Sequence, residues 1–411
     1  YPAKIDRPKL VIGMVVDQMR WDYLYRYYDR YSNGGFKRLL NDGFSAENTL
    51  INYTPTLTGC GHASVYTGTV PAINGIIGNN WFDPQIGRDV YCVEDKDATT
   101  IGSPSKEGLM SPKNLLVTTI TDELRMATNF KSKVISISIK DRGAILPGGH
   151  TANGSYWYDD ATGNFITSSF YMNELPVWVN QFNTQKWPDK FFEKDWNTLY
   201  PIESYTNSTS DSKSYEGLFR GEKTSTFPHL FKQYVGKNYS MMASMPYGNT
   251  FTLEMAKSAI AGEKLGQLGQ TDFLAVSLSS TDYVGHQFGP NSIEAEDTYL
   301  RLDKDLEQFF AHLDKTIGKG NYLFFLTADH GATHVPGFSK ENKLPGKGLS
   351  TRKFRTELDS LILNKFKVKS AIFTIMNNQV IFNNEAIQAS NADYREIKQF
   401  CIDYLLRQEG V

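Results

Sequence analysis

Four short runs of hydrophobic residues along the chain are each followed by polar or charged side chains. Short, nearly continuous apolar runs are typical of strands that are buried on both faces of a parallel sheet. In open α/β sheets the chemistry collects outside the carboxyl ends of such strands. The runs are residues 10–16, followed by Asp17; 134–139, followed by Lys140, Asp141 and Arg142; 273–278, leading to Asp282; and 322–326, leading to Asp329 and His330.

The segments between these runs carry helical patterns, as the crossover connections of a parallel sheet require. Ser111-Pro112 has the form of an N-cap followed by proline at the first helical position, and it predicts a helix up to residue 127. Longer patterns predict helices over 292–317 and 394–407. Residues 371–382 predict a β-hairpin that turns at two asparagines.

The stretch from residue 151 to 267 has a different character, rich in Asn, Ser, Thr, Tyr and Trp with weak periodicity. We interpret it as an insertion that caps the sheet. The pattern therefore predicts the α/β class: an α/β/α sandwich with a central, mostly parallel sheet. Its core would comprise residues 8–150 and 268–411, and residues 151–267 would form the inserted cap region.

Composition narrows the class of protein. Of 411 residues, 40% are hydrophobic and 21% are charged, which is ordinary for a globular protein. The net charge of −2 argues against a nucleic-acid partner, and no apolar run reaches the ~20 residues that span a bilayer. Three cysteines do not indicate a disulfide framework. Because the chain starts at Tyr1 without Met, as after removal of a signal peptide, we predict a periplasmic or secreted location.

Five metal-binding side chains stand at or just after three of the predicted strand ends. Mixed carboxylate and imidazole ligands suit catalytic zinc. Asp282 and His286 are four residues apart with a glycine in the bend, and Asp329 and His330 are neighbours that point in different directions. Taken singly, such residues are more often helix caps or satisfied polar groups. Together with Asp17 they predict a metal site.

A candidate nucleophile lies in residues 56–64, TLTGCGHAS. This glycine-rich segment predicts a tight turn that opens a helix, where free backbone N–H groups and the helix dipole favour an anion. The Thr58 hydroxyl is a weak nucleophile that needs activation, here by a metal ion. A threonine at this place is by itself more often a helix cap.

The order of these motifs resembles the alkaline phosphatase superfamily, and within it the threonine-nucleophile, phosphate-irrepressible bacterial alkaline phosphatases. The resemblance covers residues 8–150 and 268–340. Two more segments narrow it: Asn79, within the run NGIIGNNW, matches an asparagine that contacts a phosphate oxygen, and Lys140 with Arg142 matches a Lys-x-Arg pair of the monoesterases. The motifs are Val15-Val16-Asp17, Thr58-x-x-Gly61-His62, Asp282-x-x-Gly285-His286 and Asp329-His330-Gly331.

The resemblance implies an enzyme with two Zn²⁺ per chain that hydrolyses phosphate monoesters and releases inorganic phosphate. One zinc would be held by Asp17, Asp329 and His330 and would also bind Thr58, which would form a phosphothreonine. Asp282 and His286 would hold the other zinc, next to the leaving oxygen. Two metals ~4 Å apart can clamp the attacking and leaving oxygens. Asn79, Lys140 and Arg142 would bind the phosphate oxygens.

In one respect the sequence departs from the family. The family's second zinc takes a further histidine from a C-terminal loop, but no histidine follows His334 here. The Asp282/His286 site is therefore expected to be incomplete in this chain, with a segment beyond Val411 supplying the missing ligand. His62 is expected to be structural, and His334 matches no ligand position.

Two other functions stay open. A nucleotide pyrophosphatase/phosphodiesterase shares the metal ligands and the threonine, but it uses a hydrophobic pocket in place of the Lys140 and Arg142 pair, so this pair favours monoesters. A metal-binding protein with an incomplete site is the other alternative. A sulfatase is disfavoured, because the Cys/Ser-x-Pro-x-Arg motif of that class is absent.

Overall fold

The computed structural model describes residues 7–346, 348 and 350–408. In this part of the chain seven strands form one sheet, in the order β4-β7-β6-β5-β8-β1-β9, and two hairpins, β2-β3 and β10-β11, stand apart from it. The strands are β1 (Leu10–Val16), β2 (Asn80–Asp83), β3 (Arg88–Tyr91), β4 (Thr100–Ile101), β5 (Val134–Ser138), β6 (Gly154–Asp159), β7 (Asn164–Ser168), β8 (Asp272–Leu278), β9 (Tyr322–Thr327), β10 (Ile372–Met376) and β11 (Gln379–Phe382).

The four strands predicted from the hydrophobic runs are neighbours in this sheet. β5, β8, β1 and β9 lie side by side and all pair in parallel, with Val16 opposite Leu278 and Val15 opposite Thr327. Their carboxyl ends therefore meet at one edge of the sheet. β6 extends the parallel part, and β7 and β4 are added antiparallel, so the sheet is mostly parallel as predicted.

Helices cover both faces of the sheet. Successive residues of a strand point to opposite sides, so apolar side chains on both faces have to be buried. On one face Ile12 and Met14 of β1 belong to the main hydrophobic core together with Phe251 and Leu306 from two long helices. On the other face Val15 packs in a smaller cluster with Tyr66. The α/β/α sandwich is confirmed.

The helices of the described chain, with four short 3₁₀ segments and one π segment, follow in chain order. The α-helices are α1 (Tyr23–Arg26), α2 (Phe36–Asp42), α3 (Thr58–Thr67), α4 (Pro71–Asn74), α5 (Ile120–Ala127), α6 (Asp141–Gly148), α7 (Val177–Thr184), α8 (Trp187–Phe192), α9 (Tyr247–Glu263), α10 (Ser280–Phe288), α11 (Ile293–Leu313), α12 (Pro336–Glu341), α13 (Thr351–Phe366), α14 (Asn384–Ala389) and α15 (Tyr394–Leu405). The 3₁₀ segments are Tyr28–Arg30, Ile202–Ser204, Lys232–Tyr234 and Tyr239–Ser244, and the π segment is Asp314–Gly318. No helix in the described ranges is both long and apolar enough to cross a membrane.

Helix α5 begins eight residues after the predicted proline start. Thr119 is its N-cap: the Thr119 hydroxyl accepts from the Asp122 backbone N–H, and the Asp122 carboxylate accepts from the Thr119 N–H. This reciprocal capping box fixes the helix start more strongly than a Ser-Pro pair can. The start predicted at Ser111 is therefore wrong, whereas α11 begins at the predicted Ser292 cap.

The chain divides into two compact units, which differ from the predicted core (8–150 and 268–411) and cap (151–267). One unit comprises Tyr1–Asn79 and Cys92–His334, and the other comprises Asn80–Tyr91 and Val335–Val411. Residues predicted as cap contribute β6 and β7 to the central sheet, and α9 packs against β8. Weak periodicity between 151 and 267 conceals these elements, because β6 and β7 are buried on both faces and show no alternation.

The second unit has its own small core and contains the predicted hairpin. β10 and β11 pair antiparallel, and the core is formed by residues of the hairpin and of helices α13, α14 and α15. Asn377 and Asn378 have positive φ angles of 51° and 60°. Two successive positive φ angles are typical of a type I′ turn, in which asparagine is favoured, so the hairpin prediction is confirmed.

Candidate active site

The carboxyl ends of β1 and β9 bring Asp17, Asp329 and His330 together. Their ligand atoms all lie within 4.8 Å of one another, and all three residues are buried. His330 Nε2 lies 3.5 Å from Asp17 Oδ1 and 3.6 Å from Asp329 Oδ2. In the described residues this is the one group of three or more such side chains that could hold a metal ion.

The donor atoms of this cluster fit a bound cation. Asp17 Oδ1 and Asp329 Oδ2 are buried oxygens that accept no hydrogen bond. A buried carboxylate oxygen without a hydrogen bond is costly, and a bound metal ion is one means of satisfying it. Burial, with the neighbouring Asp329 charge, raises the pKa of Asp17 to about 7. A bound cation would satisfy both oxygens and stabilise the ionised form of Asp17, so these residues could hold a metal ion.

Asp282 and His286 form a second pair beside this cluster. Both lie on α10, and His286 Nε2 is 3.1 Å from Asp282 Oδ1. The expected glycine bend is absent: Asp282, Gly285 and His286 lie within a continuous helix, whose i, i+4 spacing puts the two side chains on one face. Although burial opposes it, the hydrogen bond with His286 and the charge of Lys140 hold the pKa of Asp282 well below its ordinary value.

Thr58 is the first residue of α3, and Leu57 is the N-cap. No side chain caps this helix, so the Thr58 hydroxyl does not serve as a cap, contrary to the commoner role of a threonine at a helix start. The hydroxyl oxygen instead lies 3.3 Å from the Lys140 ammonium, which donates to it. The Gly59 N–H of the same turn donates to Asn79 Oδ1 over 2.8 Å, which leaves the amide nitrogen of Asn79 as a donor.

Lys140 is the buried cation of the site, with 4% of its surface exposed. Its Nζ donates to Asp17 Oδ2 over 2.8 Å and to Asp282 Oδ2 over 2.5 Å, and thereby joins the two predicted ligand sets. Burial lowers the pKa of Lys140 and the Arg142 charge acts in the same direction, but Asp17 and Asp282 outweigh them, so the pKa is raised and the ammonium stays charged. Arg142, two residues on, ion-pairs weakly with Asp141 at 3.8 Å.

The structure adds three residues that the motifs did not single out for a role at the site. His62 Nδ1 lies 3.3 Å from Asp329 Oδ2, so this expected structural histidine contacts a predicted ligand. The Lys140 ammonium lies over the Tyr283 ring, 5.1 Å from the ring centre. Gln18 donates to two aspartates of the site. A glutamine directly after Asp17 carries no signal of this in the sequence, because the contacts join residues more than 260 positions apart.

Fold and site define an enzyme of the alkaline phosphatase superfamily. Residues 11–407 match the family described as type I phosphodiesterase / nucleotide pyrophosphatase, and the chain belongs to this family. The predicted resemblance to the superfamily is confirmed.

Among its relatives, alkaline phosphatase PhoV of Synechococcus elongatus is 75% identical over 411 residues, which cover 100% of this chain and 74% of PhoV. A protein of Myroides odoratus named calcium-transporting ATPase is 54% identical over 411 residues, covering 99% of this chain and 75% of that protein. Alkaline phosphatase PafA of Elizabethkingia meningoseptica is 50% identical over 410 residues, covering 99% and 75%.

The solved structure of wild-type PafA superposes with a TM-score of 0.95 at 48% identity, over 98% of this chain and 78% of that chain. A second PafA structure, with the same TM-score and coverage, carries substitutions of one threonine, one asparagine, one lysine and one arginine.

Proposed function

We propose that this chain is a zinc-dependent alkaline phosphatase that hydrolyses phosphate monoesters through a phosphothreonine at Thr58. The observation that carries the proposal is the convergence of the Thr58 hydroxyl and the Asp17 carboxylate on the Lys140 ammonium, which donates a hydrogen bond to each of them. The names of PhoV and PafA support the reaction class. The four residue types substituted in the PafA variant occur in the same order as Thr58, Asn79, Lys140 and Arg142.

The ligand sets that we assign are Asp17, Asp329 and His330 with Thr58 for one zinc, and Asp282 with His286 for the other. When bound, the metal ions would lower the pKa of the attacking hydroxyl and stabilise negative charge on the leaving oxygen. His62 and Gln18 contact the Asp329 carboxylate and would orient it, as residues around the ligands of a metal site commonly do.

Side chains of the protein then perform the phosphoryl transfer. Thr58 Oγ1 forms a bond to phosphorus as the bond from phosphorus to the ester oxygen breaks, and the alcohol leaves. Water next cleaves the phosphothreonine and releases inorganic phosphate. The Asn79 amide, the Lys140 ammonium and the Arg142 guanidinium hold the phosphoryl oxygens, because this reaction depends mostly on positioning and charge stabilisation.

A phosphodiester or nucleotide substrate is the second candidate. It is favoured by the description of the matching family and by the name of the Myroides odoratus relative. Against it, the Lys140 ammonium lies beside the nucleophile and Arg142 follows two residues later, and a monoester dianion offers these cations one more charged oxygen than a diester does. The predicted periplasmic or secreted location and the absence of a nucleic-acid partner stay predictions.

The test is turnover of p-nitrophenyl phosphate, bis-p-nitrophenyl phosphate and ATP by the zinc-loaded and the chelator-treated chain. We expect zinc-dependent hydrolysis with the monoester strongly preferred. A preference for the diester would replace this proposal with a phosphodiesterase.

Thr58→Ala tests the nucleophile. The variant should lose covalent labelling by radioactive phosphate, yet still bind inorganic phosphate, since the cations remain. Thr67→Ala, at the other end of the same helix, removes a hydroxyl that bonds only within its own turn and to Thr69, and should label normally. Covalent labelling of Thr58→Ala at the wild-type level would refute the assignment.

A further inference from the structure

Gln18 has a backbone conformation that is unfavourable for its residue type. It directly follows Asp17 at the end of β1, and its φ angle is +63°, in the left-handed region that favours glycine. The side chain is buried, with 6% of the residue exposed. Such a conformation persists only where surrounding contacts hold it, and it is often found where function requires it.

Two contacts hold Gln18, and they reach both predicted ligand sets. The backbone N–H donates to Asp329 Oδ1 over 3.1 Å. The side-chain Nε2 donates to Asp282 Oδ1 over 2.7 Å. One residue therefore fixes a carboxylate on β9's end and a carboxylate on α10, 311 and 264 residues away in the chain.

Helix α10 is shaped to admit this side chain. A Cβ added at Gly285 would lie 2.0 Å from Gln18 Oε1 and 3.1 Å from Gln18 Cδ, well inside van der Waals contact. Gly285 has an ordinary helical φ angle, so the glycine is needed for space and not for backbone freedom. Its place between Asp282 and His286 thus serves the glutamine.

We propose that Gln18 is a positioning residue that couples the two halves of the zinc site, by holding Asp329 through its backbone and Asp282 through its side chain. The inference rests on the proposed function only in taking these aspartates as zinc ligands. On Asp282, Gln18 shares Oδ1 with His286, and Oδ2 accepts from Lys140. On Asp329, Gln18 holds Oδ1, and Oδ2 faces His330. The separation of the two sets is then fixed before substrate binds.

The first test replaces the amide while leaving the backbone constraint. Gln18→Met has a side chain of similar length without a hydrogen-bond donor, and its backbone N–H can still hold Asp329. We expect about 10–100-fold weaker zinc binding at the Asp282/His286 site, a magnitude typical of lost outer contacts, with much less change at the Asp17/Asp329/His330 site. Zinc competition titration and the Co²⁺ absorption spectrum report both sites without relying on activity.

A second variant acts on the same contact from the opposite side. Gly285→Ala should displace the Gln18 amide and reproduce the selective loss, whereas in a Gln18→Met background it should add little. Such non-additivity is the signature of two residues that act through one contact. Independent, additive losses would show that Gly285 has another role and that the coupling is not carried by the amide.

Gln18→Gly keeps the proposal testable if the methionine variant folds poorly, because glycine adopts the positive φ angle freely. The matched control is Lys264→Gly, at an exposed residue with φ +55° that caps the carboxyl end of α9 and is not among the proposed site residues. It should leave zinc binding unchanged. If both Gln18 variants bind zinc as the control does, the coupling is refuted even though phosphatase activity is present. If the selective loss is found in a chain without phosphatase activity, the proposed function fails and the coupling stands.

Discussion

At the scale of single residues, two aspartates of the site have pKa shifts in opposite directions because their neighbours differ. Asp17 and Asp282 both stand at the carboxyl edge of the sheet, yet burial and the Asp329 charge raise the pKa of Asp17 to about 7, whereas His286 and Lys140 lower that of Asp282. Lys140 touches both carboxylates. The position of the Lys140 ammonium therefore determines how much of the negative charge on these two carboxylates is neutralised.

The Lys140 and Arg142 pair should decide substrate class. Replacing both by Ala should lower kcat/KM for the monoester by orders of magnitude and for the diester much less, because charge-assisted bonds to the extra phosphate oxygen are lost. Steady-state kinetics with both p-nitrophenyl esters measure this difference.

Lys113→Ala is the control for the loss of a positive charge alone, since Lys113 is half-exposed and pairs with Asp95 and Asp97. It should change neither rate. An equal loss for monoester and diester in the double variant would mean that the pair supports the fold of the site and not its selectivity.

At the scale of elements, the start of α5 shows how a buried side chain organises a helix end. Asp122 accepts from the Thr119 N–H within the capping box, and it also accepts from the backbone and hydroxyl of Thr151. His150 Nδ1 lies 3.2 Å from Asp122 Oδ2, the oxygen that also accepts from Thr119. Although burial opposes it, these bonds hold the pKa of Asp122 well below its ordinary value.

This pKa shift predicts a pH dependence of stability. A depressed carboxyl pKa contributes stability that is present above the unfolded pKa, about 4, and is lost as pH falls towards the folded value. Asp122→Asn, which is neutral and nearly isosteric, should therefore lower the free energy of unfolding by about 1–2 kcal/mol at pH 7. Urea denaturation from pH 7 to pH 3 should show this difference shrinking below about pH 4.

Asp160→Asn serves as the comparison, because Asp160 is exposed. Its unfolding free energy should follow the wild type throughout. A difference between Asp122→Asn and the wild type that stays constant down to pH 3 would show that the Asp122 charge does not contribute.

At the scale of the whole molecule, the two proposed ligand sets differ in the number of side chains that they bring together. Asp17, Asp329 and His330 are the group of three found among the described residues, whereas Asp282 has only His286 as an imidazole partner. The His286 side chain is 72% exposed, whereas the His330 side chain is 9% exposed. A catalytic zinc usually takes three protein ligands.

We therefore expect unequal zinc affinities in the 411-residue chain, with the Asp282/His286 site the weaker. Metal titration with a chromophoric competitor should resolve a tight and a weak step. His330→Ala should remove the tight step, and His286→Ala should remove the weak one. Two equally tight zinc ions would show that another residue completes the second site.

The hydrophobic pattern was enough to predict the four parallel strands and the candidate residues that follow each of them. Buried strands need nearly continuous apolar runs, and functional groups follow them at the carboxyl ends, so β1, β5, β8 and β9 could be predicted with only small errors in their bounds. The Asn377-Asn378 hairpin could also be predicted, because its turn depends on local backbone preferences.

Features that depend on contacts between distant parts of the chain could be seen in the three-dimensional structure and not in the sequence. β6 and β7 show no periodic signal because both their faces are buried. Helix α5 begins at a capping box and not at the Ser-Pro pair from which its start was predicted. The contacts of Lys140 with two carboxylates and the bridge made by Gln18 join strand ends that lie more than 100 residues apart in sequence. No local pattern records such contacts, because parallel pairing brings those ends together only when the whole sheet has formed.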